Sequence, residues 1–190
     1  MQPLTKTRRP VVALDPTPWS GPWGTIQQIL SRLGRDRRVV YSNGPLTLWD
    51  RDKQVWMESP LLPSVRSQDH ILIDAPGRLC PTWAKSRLWT NVAERLHSRH
   101  LRRASGARGQ GIAWVMHPLF EHYVDLLGFD RVVYFAYDQY QLTAEWTEDL
   151  ARRQARLVAE ADLVVAVTAG LAASLPEPGP TKTKVLPSAV

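Results

Sequence analysis

The chain contains a single cysteine, Cys80, in 190 residues. That excludes an internal disulfide and a cysteine-rich zinc site. No apolar run approaches the ~20 residues that a membrane-spanning helix needs. Val11–Leu14, the apolar stretch that follows the basic residues near the N-terminus, is too short for the core of a signal peptide. There is no internal repeat and no low-complexity tract. A Gly-x-Gly-x-x-Gly spacing and a Walker lysine are also missing, which argues against a standard dinucleotide or P-loop site. The chain is therefore expected to be cytoplasmic, with a peripheral contact to the inner face of a membrane left open.

The composition is that of a folded domain: 44% hydrophobic, 22% charged, with eight Trp. The length suits one sizeable domain with its own core and is short for two. A net charge of +6 and a pI near 9.8 fit an anionic partner, or simply a solvated basic surface. No RNA-recognition aromatics or helix-turn-helix pattern accompanies the charge, so nucleic acid is not an expected partner.

Along the chain, short Val/Ile-rich runs alternate with amphipathic stretches. Val11–Leu14 reads as a strand. Residues 23–33 read as a helix with Ile26, Ile29, Leu30 and Leu33 on one face, closed by Gly34 as a C-cap. Residues 38–41 form the next strand. Residues 54–57 and 70–73 are two further strand candidates, with a loop over 60–63. Residues 83–103 read as a long helix packing Leu88, Val92 and Leu96 into the domain. Strands over 112–116, 131–136 and 163–167 follow, separated by helices over 118–127 and 143–161, with a last strand from Lys184. Near-continuous apolar strands are typical of a parallel sheet covered on both faces. The expected fold is therefore α/β: a doubly wound, Rossmann-like parallel sheet with helices on both faces, in a single domain over residues 1–190.

In such sheets ligands bind beyond the carboxyl ends of the strands. Three segments fall there. The loop after the first strand carries Gly21 and Gly24 and runs into a helix N-terminus, an arrangement that suits an anion or serves merely as a turn. His117 follows the strand from Ile112 and precedes Pro118; it could meet a sugar hydroxyl or cap the turn locally. Asp138 follows the strand from Arg131 and could accept from a ligand hydroxyl or cap the next helix. A fourth feature is the basic helix 84–103, with Lys85, Arg87, Arg95, Arg99, Arg102 and Arg103 around Trp89. It is compatible with an anionic membrane surface and with an ordinary solvated face.

The stretches Ile112–Pro118, Arg131–Asp138, Gln154–Thr168 and Val185–Val190 occur in an order and spacing that resemble the N-terminal domain of a GT-B-fold glycosyltransferase of the family 4-like group. Gln154 stands where that group usually has Glu, Thr168 where it has Ser, and Ser188-Ala189 where it has Asn-Gly. The resemblance implies two Rossmann-like domains facing across a cleft. The first mainly holds the acceptor and the second the nucleotide-sugar. No second-domain element can be matched within residues 1–190, so the nucleotide-sugar domain is expected to be absent from this chain and the chain alone to transfer no sugar.

The resemblance further implies no metal and no cofactor, the nucleotide-sugar being a substrate of the complete enzyme. It gives His117 a contact with the transferred sugar, places Gly21 and Gly24 against donor phosphate and acceptor, and puts Asp138 with them as a substrate-binding residue. The expected activity is sugar transfer to a polysaccharide, lipid-linked or small acceptor, as in polysaccharide biosynthesis. The alternative is a non-enzymatic α/β module that binds an anionic ligand or a partner subunit.

Overall fold

A computed structural model describes residues 8–21 and 23–186. Strands β1 (Val11–Leu14), β2 (Val39–Ser42), β3 (Ser64–Gln68), β4 (Ile71–Ala75), β5 (Ile112–Val115), β6 (Arg131–Ala136), β7 (Leu163–Ala166) and β8 (Thr183–Val185) form one sheet. Their order is β3-β4-β2-β1-β5-β6-β7-β8. Every neighbouring pair is parallel except β3 and β4. As expected, β1, β5, β6 and β7 are interior. Residues 187–190, which include the Ser188-Ala189 departure, lie outside the described residues.

Helix α1 (Thr25–Gly34) packs Leu30, with Ile26, Ile29 and Leu33, on the sheet face that carries Val11, Ala13, Tyr41 and Ile71. Helices α3 (Arg87–Ser105), α4 (Tyr123–Leu127) and α5 (Glu148–Glu160) cover the other face. There Leu101, Tyr123, Leu127 and Leu157 meet Val12, Leu14, Val115 and Tyr134. Each fully buried aliphatic or aromatic side chain contributes roughly 1.5–3 kcal/mol of transfer free energy. The alternation of β1 between the two faces is therefore what locks the two layers together.

Several expectations need correction. Residues 54–57 are not a strand but the short helix α2 (Gln54–Glu58). The preceding turn is tied by Asp50 Oδ2, which accepts from both the backbone amide and the hydroxyl of Thr47. The outer edge of β4 is occupied instead by β3, whose Ser-Val-Arg-Ser-Gln sequence has no apolar face and so gave no strand signal. Asp69 and His70, both at positive φ, make the tight turn between these two strands.

The helix expected from Thr143 starts at Glu148, because Thr147 Oγ1 caps it by accepting from the Leu150 amide at 3.3 Å. The stretch 118–127 splits into a 3-10 turn over Pro118–Phe120 and α4, which Gly128 closes in the left-handed conformation. Gly34 is the last residue of α1 rather than a left-handed cap. A Cβ there would lie 2.4 Å from the His70 carbonyl oxygen, so close approach requires the glycine. On α3, Leu88, Val92 and Leu96 do not pack into the domain. The buried face is Ala93, His97, Ser98, Leu101 and Ser105.

Candidate ligand site at the carboxyl edge of the sheet

Asp15 directly follows Leu14, the last residue of β1, and the polypeptide turns immediately through Pro16-Thr17-Pro18. Thr17 is held from below: Tyr41 Oη and Asn43 Nδ2 both donate to its carbonyl, and Asn43 also donates to the Asp15 carbonyl at 2.8 Å. These bonds fix the Asp15 side chain on the carboxyl edge between β1 and β6. Its Oδ1 accepts from the Thr17 amide at 3.2 Å and from Tyr137 Oη at 2.9 Å. Its Oδ2 is buried and has no hydrogen-bond partner among the described residues. The residue as a whole is 0% exposed. Burial pushes the Asp15 carboxyl above the ordinary carboxylate range, and the bonds from Thr17 and Tyr137 only partly oppose this. Burial, reinforced by the nearby Asp15 charge, likewise raises the phenols of Tyr41 and Tyr137.

A cavity of about 250 Å³ opens over this carboxylate. Asp15, Thr17, Gly24, Thr25, Gln27, Tyr41 and Tyr137 line it, with Ile26 and Val167 as the apolar part. The N-terminus of α1 forms one wall. There the buried Gln27 accepts from the Gly24 amide at 3.0 Å, leaving the next first-turn amides without an intrahelical acceptor. The site thus offers one carboxylate oxygen and the phenol oxygens of Tyr41 and Tyr137, whose hydrogens are already donated, as acceptors, the hydroxyls of Thr17 and Thr25 as donors or acceptors, and backbone amides as donors. Such a set matches a ligand with several hydroxyl groups, which must both give and receive hydrogen bonds.

The residues singled out from the sequence fall along this edge but do not share one surface. Gly24 lines the cavity. Gly21 stays outside the lining, its amide bound to the Pro18 carbonyl at 3.1 Å. Gly21, Gly24 and His117 therefore do not line one concavity. His117 Nδ1 accepts from the Leu119 amide at 3.0 Å, capping the 118–120 turn, and its ring packs edge-on against Tyr140 at 4.3 Å. Because Nδ1 is an acceptor, the neutral ring carries its proton on Nε2. Burial lowers the His117 pKa against a smaller opposing effect from Glu145, which favours that neutral form. Tyr140 in turn meets Tyr137 edge-on at 5.8 Å, so an aromatic row runs from His117 to the cavity. Asp138 is exposed and accepts from the Gln139 amide at 2.7 Å. It lines the adjacent concavity with Thr143 and Thr168. Gln154 is buried away from the edge, donating to Tyr134 Oη and accepting from Gln141, each at 2.9 Å.

Asp15 and Tyr137 are the residues that sequence reasoning missed. A signal was present, because Asp15 directly follows the last apolar residue of a central strand. It read as a strand terminator rather than as a side chain folded back under the edge.

A second polar cluster lies beneath α3. Asp74, at the end of β4, accepts from Ser42 Oγ at 2.6 Å and pairs with His97 Nε2 at 2.7 Å, both through Oδ2. His100 Nε2 lies 3.2 Å from Oδ1, and His97 Nδ1 bonds Tyr123 Oη at 2.7 Å. Ser42 and Asp74 meet the same imidazole nitrogen, so this is not a nucleophile–base–carboxylate relay. Burial alone would raise the Asp74 carboxyl, but His97, His100 and Ser42 hold it down to about 2. Among the described residues no group of three or more His, Cys, Asp or Glu is arranged to hold a metal ion.

No protein-family model matches the sequence, and no curated protein matches it. Among solved structures the chain is similar to one described as trehalose-6-phosphate from E. coli bound with UDP-2-fluoro glucose. The match has 12% sequence identity and a TM-score of 0.41, and it covers 83% of this chain and 40% of that one. The chain thus spans less than half the length of the structure it matches. At this level the likeness carries no argument about activity. The fold class rests on the sheet itself: an α/β domain with a mostly parallel, eight-stranded, Rossmann-like sheet.

Proposed function

We propose that this chain is the acceptor-side domain of a glycosyltransferase that moves a sugar from a nucleotide-sugar to a polysaccharide, lipid-linked or small acceptor. One observation carries the reading: a buried carboxylate, one oxygen of which has no hydrogen-bond partner, lines a cavity together with four hydroxyl-bearing side chains on the carboxyl edge of a parallel sheet. In this reading Asp15 Oδ2 accepts a hydrogen bond from an acceptor hydroxyl, and Tyr137 and Thr17 orient it. As that hydroxyl attacks the anomeric carbon and the nucleoside diphosphate leaves, its proton passes to Asp15. A carboxylate whose pKa is raised by burial is a better base for that step. His117 Nε2–H and the exposed Asp138 extend the same edge as further contacts for the sugars. The alternative of a module for an anionic ligand has the α1 N-terminus in its favour, but the Asp15 carboxylate in the same cavity opposes an anion.

Amide shifts in NMR spectra separate the two. A panel of methyl glycosides and disaccharides should perturb Thr17, Thr25 and Tyr137, and Asp15→Asn should abolish that response. If inorganic phosphate moves those amides while every glycoside is silent, the glycosyltransferase reading fails in favour of the anion-binding module.

A further inference from the structure

The face of α3 that the fold leaves uncovered is apolar and basic together. Leu88 is 82% exposed, and Trp89, Val92 and Leu96 stand beside it on the solvent side of the helix. Leu61, Leu62 and Leu79, from the loops beside it, are exposed as well. Leu61, Leu62, Leu79, Val92 and Leu96 line a groove of about 730 Å³ whose rim carries Arg99 and Arg103. Leu61 and Trp89 also line a neighbouring concavity of about 750 Å³ with Trp56, Trp83, Arg51 and Arg78, so the two make one continuous apolar trough. Soluble monomers rarely leave so much contiguous apolar surface open without a use for it.

The arginines of α3 are unlike those of α5. On α5, Arg152, Arg153 and Arg156 are each paired with carboxylates, among them Asp149, Glu121 and Glu160. On α3, Arg95, Arg99, Arg102 and Arg103 have no ion-pair partner among the described residues. Arg99, Arg102 and Arg103 converge with Arg108 on a concavity of about 450 Å³. Glu94, an acid on the same helix, is engaged by His122 at 3.1 Å. A row of unpaired guanidinium groups beside an apolar trough is complementary to an amphiphile with an anionic head.

We infer that this surface, formed by α3 with the 60–63 and 76–80 loops, docks on an anionic lipid bilayer. Leucine and valine side chains enter the acyl boundary. Arg99, Arg102 and Arg103 reach lipid phosphates, their methylene stems lying along the apolar surface. Trp56, Trp83 and Trp89 lie where indoles sit at a membrane–water interface. A second copy of the chain is a poorer occupant, because an isologous contact on this face would bring one row of unpaired arginines against another. The contact is peripheral, since no helix among the described residues is long and apolar enough to cross a membrane. This inference does not depend on the sugar-transfer reading, because none of these residues lines the Asp15 cavity.

Co-sedimentation with extruded vesicles tests it. The chain should pellet with vesicles of equal parts phosphatidylcholine and phosphatidylglycerol, remain in the supernatant with phosphatidylcholine alone, and be released by salt. Arg99→Gln with Arg103→Gln should lower partitioning by about thirtyfold, at about fivefold per basic residue near an anionic surface. Leu88→Ser with Leu96→Ser should weaken it independently. Arg152→Gln, whose guanidinium is already paired with Asp149, should bind as the parent does. Near-UV circular dichroism confirms that each variant is folded, and the salt release of the parent chain provides a readout that needs no variant. Failure to pellet with the mixed vesicles overturns the inference, as does undiminished pelleting of the double Arg variant. A dimer that the double Leu variant abolishes, in a chain that ignores vesicles, assigns the surface to self-association instead.

Discussion

Two aspartates end two parallel strands of the same sheet, and both are buried, yet they are opposite in kind. Asp74 is surrounded by His97, His100 and Ser42, and these hold its carboxyl down to about 2 against the effect of burial. Hydrogen bonds reach only one oxygen of each carboxylate; the His100 imidazole stands 3.2 Å from the second oxygen of Asp74, whereas no ion-pair partner stands beside Asp15 among the described residues, and burial raises its carboxyl. The first arrangement stabilises the fold by tying β4 and β2 to α3 and α4. The second costs stability at neutral pH, because a charged oxygen is kept from water with no partner of its own. Strain of that kind is retained where a ligand supplies the missing contact. The difference teaches that burial alone does not set the state of a carboxylate; the presence or absence of imidazoles beside it does.

The largest effect should come from breaking the satisfied cluster. Asp74→Asn leaves His97 without its anionic partner and should destabilise the domain by about 3–5 kcal/mol in urea unfolding, the range for a buried pair missing one member. The sign with pH follows from the lowered carboxyl. Stability from Asp74 is fully present above the unfolded value near 3.8 and is lost as pH falls toward about 2. Near 1.36 kcal/mol per pKa unit, that contribution is about 2 kcal/mol. The wild-type minus Asp74→Asn difference should therefore shrink across that window; a difference that is constant with pH would break the comparison.

Smaller changes sharpen it. Ser42→Ala and Tyr137→Phe each remove a donor to a carboxylate oxygen and should each cost about 2 kcal/mol at neutral pH. On acidification the Tyr137→Phe cost should fall first, because burial raises the Asp15 carboxyl while the Asp74 carboxyl is held down; losses with the same pH dependence would mean that the two carboxylates are held alike. His117→Ala removes the cap on the Leu119 amide and should lower stability by about 1 kcal/mol, in the ordinary range for a lost cap.

Much of this architecture was legible because apolar runs such as Val164-Val165-Ala166 admit few alternatives in an alternating α/β pattern. What escaped was set by partners rather than by pattern. β3 is polar and exists because β4 offers an open edge. Gln54–Glu58 carries three apolar residues in a row but has no strand edge to join. On α3 the four-residue spacing of Leu88, Val92 and Leu96 marked a helical face correctly, while the smaller face of Ala93, His97 and Leu101 won the interior through the Asp74 network. The sequence placed Gly24, His117 and Asp138 at the carboxyl edge of the sheet, and they lie there. It could not show that Asp15 turns inward beneath Tyr137, because that contact joins residues 122 positions apart.

The claim that Asp15 is a carboxylate held at a cost is tested most directly by the pH dependence of Asp15→Asn stability. A carboxyl raised in the folded state carries no penalty below its unfolded value, where both states are protonated, and its full penalty once pH exceeds its folded value. Urea unfolding of the two proteins in parallel from acid to neutral pH should show Asp15→Asn gaining on the parent as pH rises, ending roughly 1 kcal/mol more stable at neutral pH, a gain in the range usual for substitutions that relieve a functional strain. An Asn variant that loses ground as pH rises would show that the ionised Asp15 is a satisfied structural group like Asp74, and would contradict the account.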